Sequence, residues 1–219
     1  MSRWTMPVVF VLALIVALGC MDNQEDPAAG RDDRDRMDRN DKMSMKKVDS
    51  GKVDQAIASW PEVSKKAVMM TMEKYGPPNE LTATHAVWWK NGPWKYTKIS
   101  NMPVDHHFPM RHQDVMEQAI DYRVPPDKFD ELAAYDGSVI VERTKGEISA
   151  RCDKEAANFL ALNLAHEIVT GKRSVEDARS EYANQVKMMM NKQPAPLTER
   201  LMFSPMTGKS ADPDLPAGQ

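Results

Sequence analysis

Apolar residues recur at helical spacing over residues 53–75, with Val63, Ala67 and Met70 on one stripe and Val68 and Met72 beside it. Trp60–Pro61 interrupts this run, and Gly76–Pro77–Pro78 closes it. Glycine suits a helix C-cap, and proline cannot continue the helix. The period then shortens. Residues 84–89 and 94–99 are strand-like runs flanking Asn91–Gly92–Pro93, which predicts a hairpin. Because Pro93 has no N–H, the expected connection is a four-residue loop from Lys90 to Pro93. That loop pairs Trp89 with Trp94 and Val87 with Tyr96. Val115, Met116, Ala119 and Ile120 return to helical spacing behind an Asp114/Glu117 capping pair. Pro125–Pro126 breaks the chain, and Asp127 opens a short helix carrying Phe129, Leu132 and Ala133, with Gly137 at its end.

Residues 138–144 and 147–152 alternate around Lys145–Gly146, so that 144 is expected opposite 147 and 139 opposite 152. Val139, Val141, Ile148, Ala150 and Cys152 then share one face. Glu142, Thr144, Glu147, Ser149 and Arg151 share the other, as a half-buried antiparallel pair requires. Asp153 is the expected N-cap of the most apolar helix, 154–170, which carries Phe159, Leu160, Leu164 and Ile168 and belongs in the core. Gly171 ends it. Ser174 to Asp177 opens a last helix striped by Val175, Ala178, Tyr182, Val186 and Met189. The pattern predicts an α+β fold of antiparallel β-hairpins packed against two C-terminal helices. One globular domain is expected over 53–191, followed by an irregular Pro- and Gly-containing tail, 192–219, pinned by Leu201, Met202 and Phe203.

The N-terminus has a different pattern. Arg3 precedes 14 uninterrupted apolar residues, 6–19, too few for the roughly 20 of a membrane-spanning helix. A basic start, a short apolar run and small residues at the exit describe a signal peptide. Ala17–Leu18–Gly19–Cys20 resembles the lipobox of bacterial lipoproteins, with Ala17 and Leu18 in exchanged order. The resemblance implies cleavage after residue 19 and a lipid anchor on Cys20, placing the chain in the cell envelope as a palmitate-bearing lipoprotein. Met21 rather than Asp follows Cys20, which for a Gram-negative lipoprotein implies the outer membrane. Residues 20–52 then form a charged tether, too poor in apolar residues to pack.

Composition narrows the function. The net charge of −3 becomes −4 once residues 1–19, with one Arg and no acid, are removed. A mildly acidic chain has no footprint for nucleic acid. With Cys20 lipidated, Cys152 is the remaining thiol and no disulfide within the chain is expected. The densest set of metal donors is His106, His107 and His112, with Asp105 beside them. Imidazole with carboxylate suits Zn or Cu. Adjacent His106 and His107 point apart, so at most one of them is expected to share a site with His112. Cys152 and His166 lie about 20 Å apart if both sit along one helix, so they make no nucleophile pair, and Cys152 is expected as a small buried hydrophobe. Asn158, Asn163 and His166 interrupt the apolar helix and need hydrogen-bond partners. The 17 methionines are expected mainly as core filling.

Trp88, Trp89, Trp94 and Tyr96 concentrate aromatic residues on the first hairpin. Such a face more often fills a core, but Trp88 and Trp89 point to opposite faces, so at least one lies on the less protected side, where it could hold an envelope protein or a glycan. A helix ending in Tyr75–Gly76–Pro77 before a Trp-bearing hairpin resembles the small lipoproteins that accompany outer-membrane β-barrel assembly. The resemblance covers residues 60–99 and assigns no functional residue. No catalytic motif is present. The expectation is a lipid-anchored envelope protein with a non-enzymatic binding or scaffolding role. Its alternative is an envelope metal-binding or metal-sensing protein using the histidine cluster.

Overall fold

The computed structural model describes residues 46–207, 210–211 and 214–218. The signal peptide, Cys20 and most of the tether lie outside the described residues. The described residues belong to one compact unit. Its elements are α1 (Ser50–Ile57), α2 (Glu62–Tyr75), β1 (Glu80–Leu81), β2 (His85–Asn91), β3 (Trp94–His106), β4 (His112–Asp121), α3 (Phe129–Tyr135), β5 (Val139–Glu142), β6 (Glu147–Cys152), α4 (Glu155–Val169) and α5 (Val175–Met190). Six strands form one antiparallel sheet in the order β1-β2-β3-β4-β6-β5. The α+β expectation holds, including both C-terminal helices. Folding begins slightly before residue 53, because Asp49 caps α1 and Val48 N–H donates to Pro78 C=O at 2.8 Å.

Three local expectations are corrected. The first hairpin turns on two residues, Gly92 and Pro93, with Asn91 opposite Trp94 and Trp89 opposite Tyr96. Proline is no obstacle there: the ladder of a two-residue turn uses the flanking residues, and Pro93 is a central one. Gly92 supplies the positive φ of 62°, and a Cβ on it would sit 2.8 Å from the Tyr75 hydroxyl. The second hairpin has a four-residue loop and pairs Val139 with Ala150 and Glu142 with Glu147. Both slips are of two residues, so the alternation of the paired strands keeps its faces. The exception is Trp94, beside the turn where Lys90 has a φ of 50°, which lies in the core with Trp88 rather than beside Trp89 and Tyr96.

The third correction is larger. Residues 114–120 are strand, not helix. β4 lies between β3 and β6, and Asp114, Val115, Met116, Gln118, Ala119 and Ile120 are all buried. A strand covered on both faces loses its alternation and can imitate helical spacing.

Helices cover the sheet face that carries Trp88, Ile99, Met116, Ile120, Ile148 and Ala150. The opposite face is tied by polar contacts: Lys95 to Asp121 and Glu147, each at 2.7 Å, and Tyr96 and Lys98 to Glu117, each at 2.8 Å. The interior forms two apolar clusters. One joins α1 and α2 to Trp88, Ile99 and Met116. The other surrounds α4, where ten residues are buried. Between them runs a polar seam. Gln118 donates to Thr97 Oγ1 at 3.0 Å, Asn91 donates to the same oxygen at 2.9 Å, and Asn158 donates to Gln118 Oε1 at 3.0 Å.

Glu155, the first residue of α4, closes the seam. Its carboxylate accepts from Tyr75 Oη and Trp94 Nε1, each at 2.6 Å, from Gln118 Nε2 at 3.4 Å, and from Lys74 Nζ. Burial alone would raise this carboxyl, but the donors from Lys74, Tyr75 and Trp94 outweigh it and hold its pKa below 4.5. Asp153, expected to cap this helix, does not; the N-cap is Lys154 and no side chain caps it. The tail is irregular but attached. Asn163 Nδ2 donates to Leu197 C=O at 2.9 Å and Arg200 C=O at 2.8 Å, and its Oδ1 accepts from Met202 N–H at 2.7 Å. His166 stacks on Phe203 at 4.1 Å and meets Tyr122 Oη at 2.8 Å.

The stabilisation from Glu155 should depend on pH. Its folded pKa lies below the unfolded value of 4.5, so the contribution is complete above that value and is lost as pH falls through the folded pKa. Glu155→Gln should lower stability at pH 7 by about 1–3 kcal/mol and flatten the decline between pH 5 and pH 3, as measured by urea unfolding across that range.

Candidate metal centre

The β3–β4 hairpin is irregular in a way that builds the site. From Ile99 to Val104 β3 takes five steps where β4, from Met116 to Asp114, takes two. The difference is odd, so it exchanges the faces of β3. Before the bulge the odd residues Thr97 and Ile99 lie opposite the inward-facing Gln118 and Met116. Beyond it the even residue His106 lies directly opposite His112. The two imidazoles are 4.9 Å apart. Asp114 follows two residues along β4, on the same face as His112.

One donor from each of His106, His112 and Asp114 lies within 4.8 Å of the others. Asp114 is 5% exposed. His112 Nε2 faces Asp114 Oδ1 at 3.1 Å, and His106 Nδ1 faces Asp114 Oδ2 at 3.4 Å. At zinc–nitrogen distances of about 2.0–2.1 Å, tetrahedral ligand atoms sit about 3.3 Å apart, and the two histidine–carboxylate separations match this. Neither His112 Nε2 nor Asp114 Oδ1 makes a hydrogen bond, although both are buried. They approach each other without the alignment an N–H donor needs.

The far side of each donor group is held. His112 Nδ1 lies 2.8 Å from Met110 C=O. His106 Nε2 lies 3.5 Å from Asp136 Oδ1. Ser138 Oγ donates to Asp114 Oδ2. Asp136 is itself fixed by Ser138 N–H at 2.8 Å. Burial pushes the Asp136 carboxyl up, against Ser138 N–H and His106. Asp114, and then Cys152, push the His112 imidazole well above 6.5, against its burial. Burial raises the Cys152 thiol, opposed by His112.

The structure brings two of the three histidines, His106 and His112, together with Asp114. His107 is exposed, and Asp105 bonds Gln113 Nε2 at 3.1 Å on the outside of the hairpin, so neither joins the cluster. Asp114, Asp136 and Ser138 were missed. By local pattern Asp114 reads as a helix cap, while Asp136 and Ser138 reach the site from between α3 and β5. The alternation His112–x–Asp114 was the available signal, legible once 112–121 is read as strand. Cys152 is buried, as expected, but it lies beside His112 rather than His166.

The aromatic residues of the first hairpin divide between core and surface. Trp88 and Trp94 are 0% and 2% exposed. Trp88 Nε1 donates to Gly76 C=O at 2.8 Å, and Trp94 stacks on Phe159 at 4.8 Å. Both are core because the hairpin presents them to the helices. Trp89 and Tyr96 remain half-buried, in edge contact at 5.8 Å, with Trp89 Nε1 bonded to Glu80 at 2.6 Å. Methionine is also corrected: among the described methionines only Met116 is buried.

The chain matches no protein-family model, no curated protein and no solved structure. Among the described residues, no helix is long and apolar enough to cross a membrane.

Alanine at Trp88 or Trp94 should cost about 3–5 kcal/mol of stability. Alanine at Trp89 should cost about 1 kcal/mol or less. Chemical unfolding of the three variants checks this ordering.

Proposed function

We propose that the protein is a lipid-anchored envelope protein that binds a divalent transition metal, Zn or Cu(II), through His106, His112 and Asp114. The observation that carries this reading is the meeting of His106, His112 and Asp114, in which the buried His112 Nε2 and Asp114 Oδ1 face each other at 3.1 Å as an ion pair without an aligned hydrogen bond. A cation between them would satisfy both at once. The outer contacts support it. Metal-bound histidines are ordinarily oriented by a carboxylate or carbonyl on the other ring nitrogen, and here Asp136 and Met110 C=O occupy those places. Two imidazoles and one carboxylate leave coordination positions open, as in exchangeable or catalytic centres rather than closed structural ones.

Binding requires the His112 ring to give up its proton, so metal uptake releases protons. The scaffolding reading retains less support, because two of its four aromatic residues are core. The envelope address rests on the N-terminal sequence and its lipobox resemblance.

The full-length chain, purified in detergent without a polyhistidine tag and incubated with zinc or copper, should retain about one ion per chain by mass spectrometry. His106→Ala, His112→Ala and Asp114→Ala should each lose it, while His107→Ala should keep it. No metal above background in the folded wild type, or equal loss in His107→Ala, would overturn the assignment. For the anchor, Cys20→Ser should abolish labelling by radioactive palmitate and move the protein out of the membrane fraction.

A further inference from the structure

Three of the methionines that do not fill the core meet at one place. Met110, on the loop between β3 and β4, and Met189 and Met190, at the end of α5, line a cavity of about 300 Å3. Cys152 and His112 line the same cavity. Met110 is 46% exposed and Met190 62% exposed, so burial does not account for their positions. Their convergence has a structural cause. Phe108 packs on Tyr182 of α5 at 5.1 Å and lies 3.9 Å under the Arg179 guanidinium. That contact ties the loop carrying Met110 to the helix carrying Met189 and Met190.

The donor set is unlike that of the histidine–aspartate centre. Thioethers are neutral and soft, and they select Cu(I) over Zn. Ala157, Tyr182 and Val186 give the cavity apolar walls, and Arg111 and Lys154 add two positive charges against the one carboxylate of Asp153. Such surroundings disfavour a divalent ion, whereas a monovalent ion is neutralised by one thiolate. Cys152 is the free thiol at that position.

We propose that this cavity is a second metal site, which takes Cu(I) on the Cys152 sulfur and the thioethers of Met110 and Met189. The thiol proton leaves to solvent as the copper–sulfur bond forms, and no electron is transferred. The proposal does not rest on the histidine–aspartate centre. The two sites share a wall at His112, but His106, Asp114 and Asp136 take no part in the second.

The test uses the full-length chain in detergent, without oxygen, with Cu(I) competed by a chromogenic Cu(I) chelator. Wild type should withhold one equivalent from the chelator. Met110→Leu/Met189→Leu conserves volume and should weaken binding by roughly tenfold or more, with the urea midpoint unchanged. Cys152→Ser should abolish binding. His106→Ala should keep Cu(I) while losing zinc, which separates the two sites and lets either fail alone. Unchanged affinity in the double leucine variant would overturn the proposal, by showing that the thiol acts alone. Loss of Cu(I) in a folded His106→Ala would overturn it too, by assigning the copper to the histidine–aspartate centre.

Discussion

A buried carboxylate tolerates few arrangements. Largely withdrawn from water, with its side chain 18% exposed, Glu155 needs donors for its charge. Its four donors come from three elements: Lys74 and Tyr75 from α2, Trp94 from β3 and Gln118 from β4. Because Glu155 begins α4, one side chain fixes the position of the central helix relative to α2 and to the middle of the sheet. The seam of Gln118, Thr97, Asn91 and Asn158 extends that constraint between two apolar clusters. Apolar packing there would tolerate sliding of one half against the other. Directional hydrogen bonds do not, because displacement leaves buried groups without partners.

The candidate centre depends on the same rigidity. Its donors sit on β3 and β4, strands that also carry the seam. Asp136 and Ser138, which orient those donors, arrive from the segment between α3 and β5. Arg179 donates to Tyr135 C=O at 2.5 Å, joining α5 to the last residue of α3. The loop over the site is held to α5 by Phe108. The three candidate donors therefore ride on strands, which favours fixed geometry, while Met110, Asp136 and Ser138 support them from short connections between elements.

Much of the fold was legible because alternation and helical spacing survive small errors. Both hairpins slipped by two residues, which preserves the alternation, and Trp94 at the edge of the first turn is the residue that left its expected face. α4 was plain from its apolar circumference, and Ser174 and Gly171 marked real ends. What failed had one physical source: pairing partners far away in sequence. The burial of β4 on both faces comes from β3, β6 and the helices, and nothing local to residues 112–121 announces it. The same blindness hid Asp114 from the site and Glu155 from the seam. For the histidines, sequence placed His106 and His112 close together but could not choose between His106 and His107, since that choice is made by a bulge.

That bulge has an evolutionary reading. The five steps of β3 against two of β4 bring His106 to the helix-covered face, so the centre is specified by a length as much as by residue identity. Loss or gain of a single residue among 100–103 would leave every donor in the sequence and the hydrophobic pattern of the sheet unchanged. It would nevertheless turn His106 outward, beside Lys98 and Tyr96. Descendants of this chain could therefore keep the fold and all the ligand residues yet lose the centre by one codon's deletion. Spacing across this segment, rather than the presence of histidine, is the character that would divide relatives able to assemble the site from those that cannot.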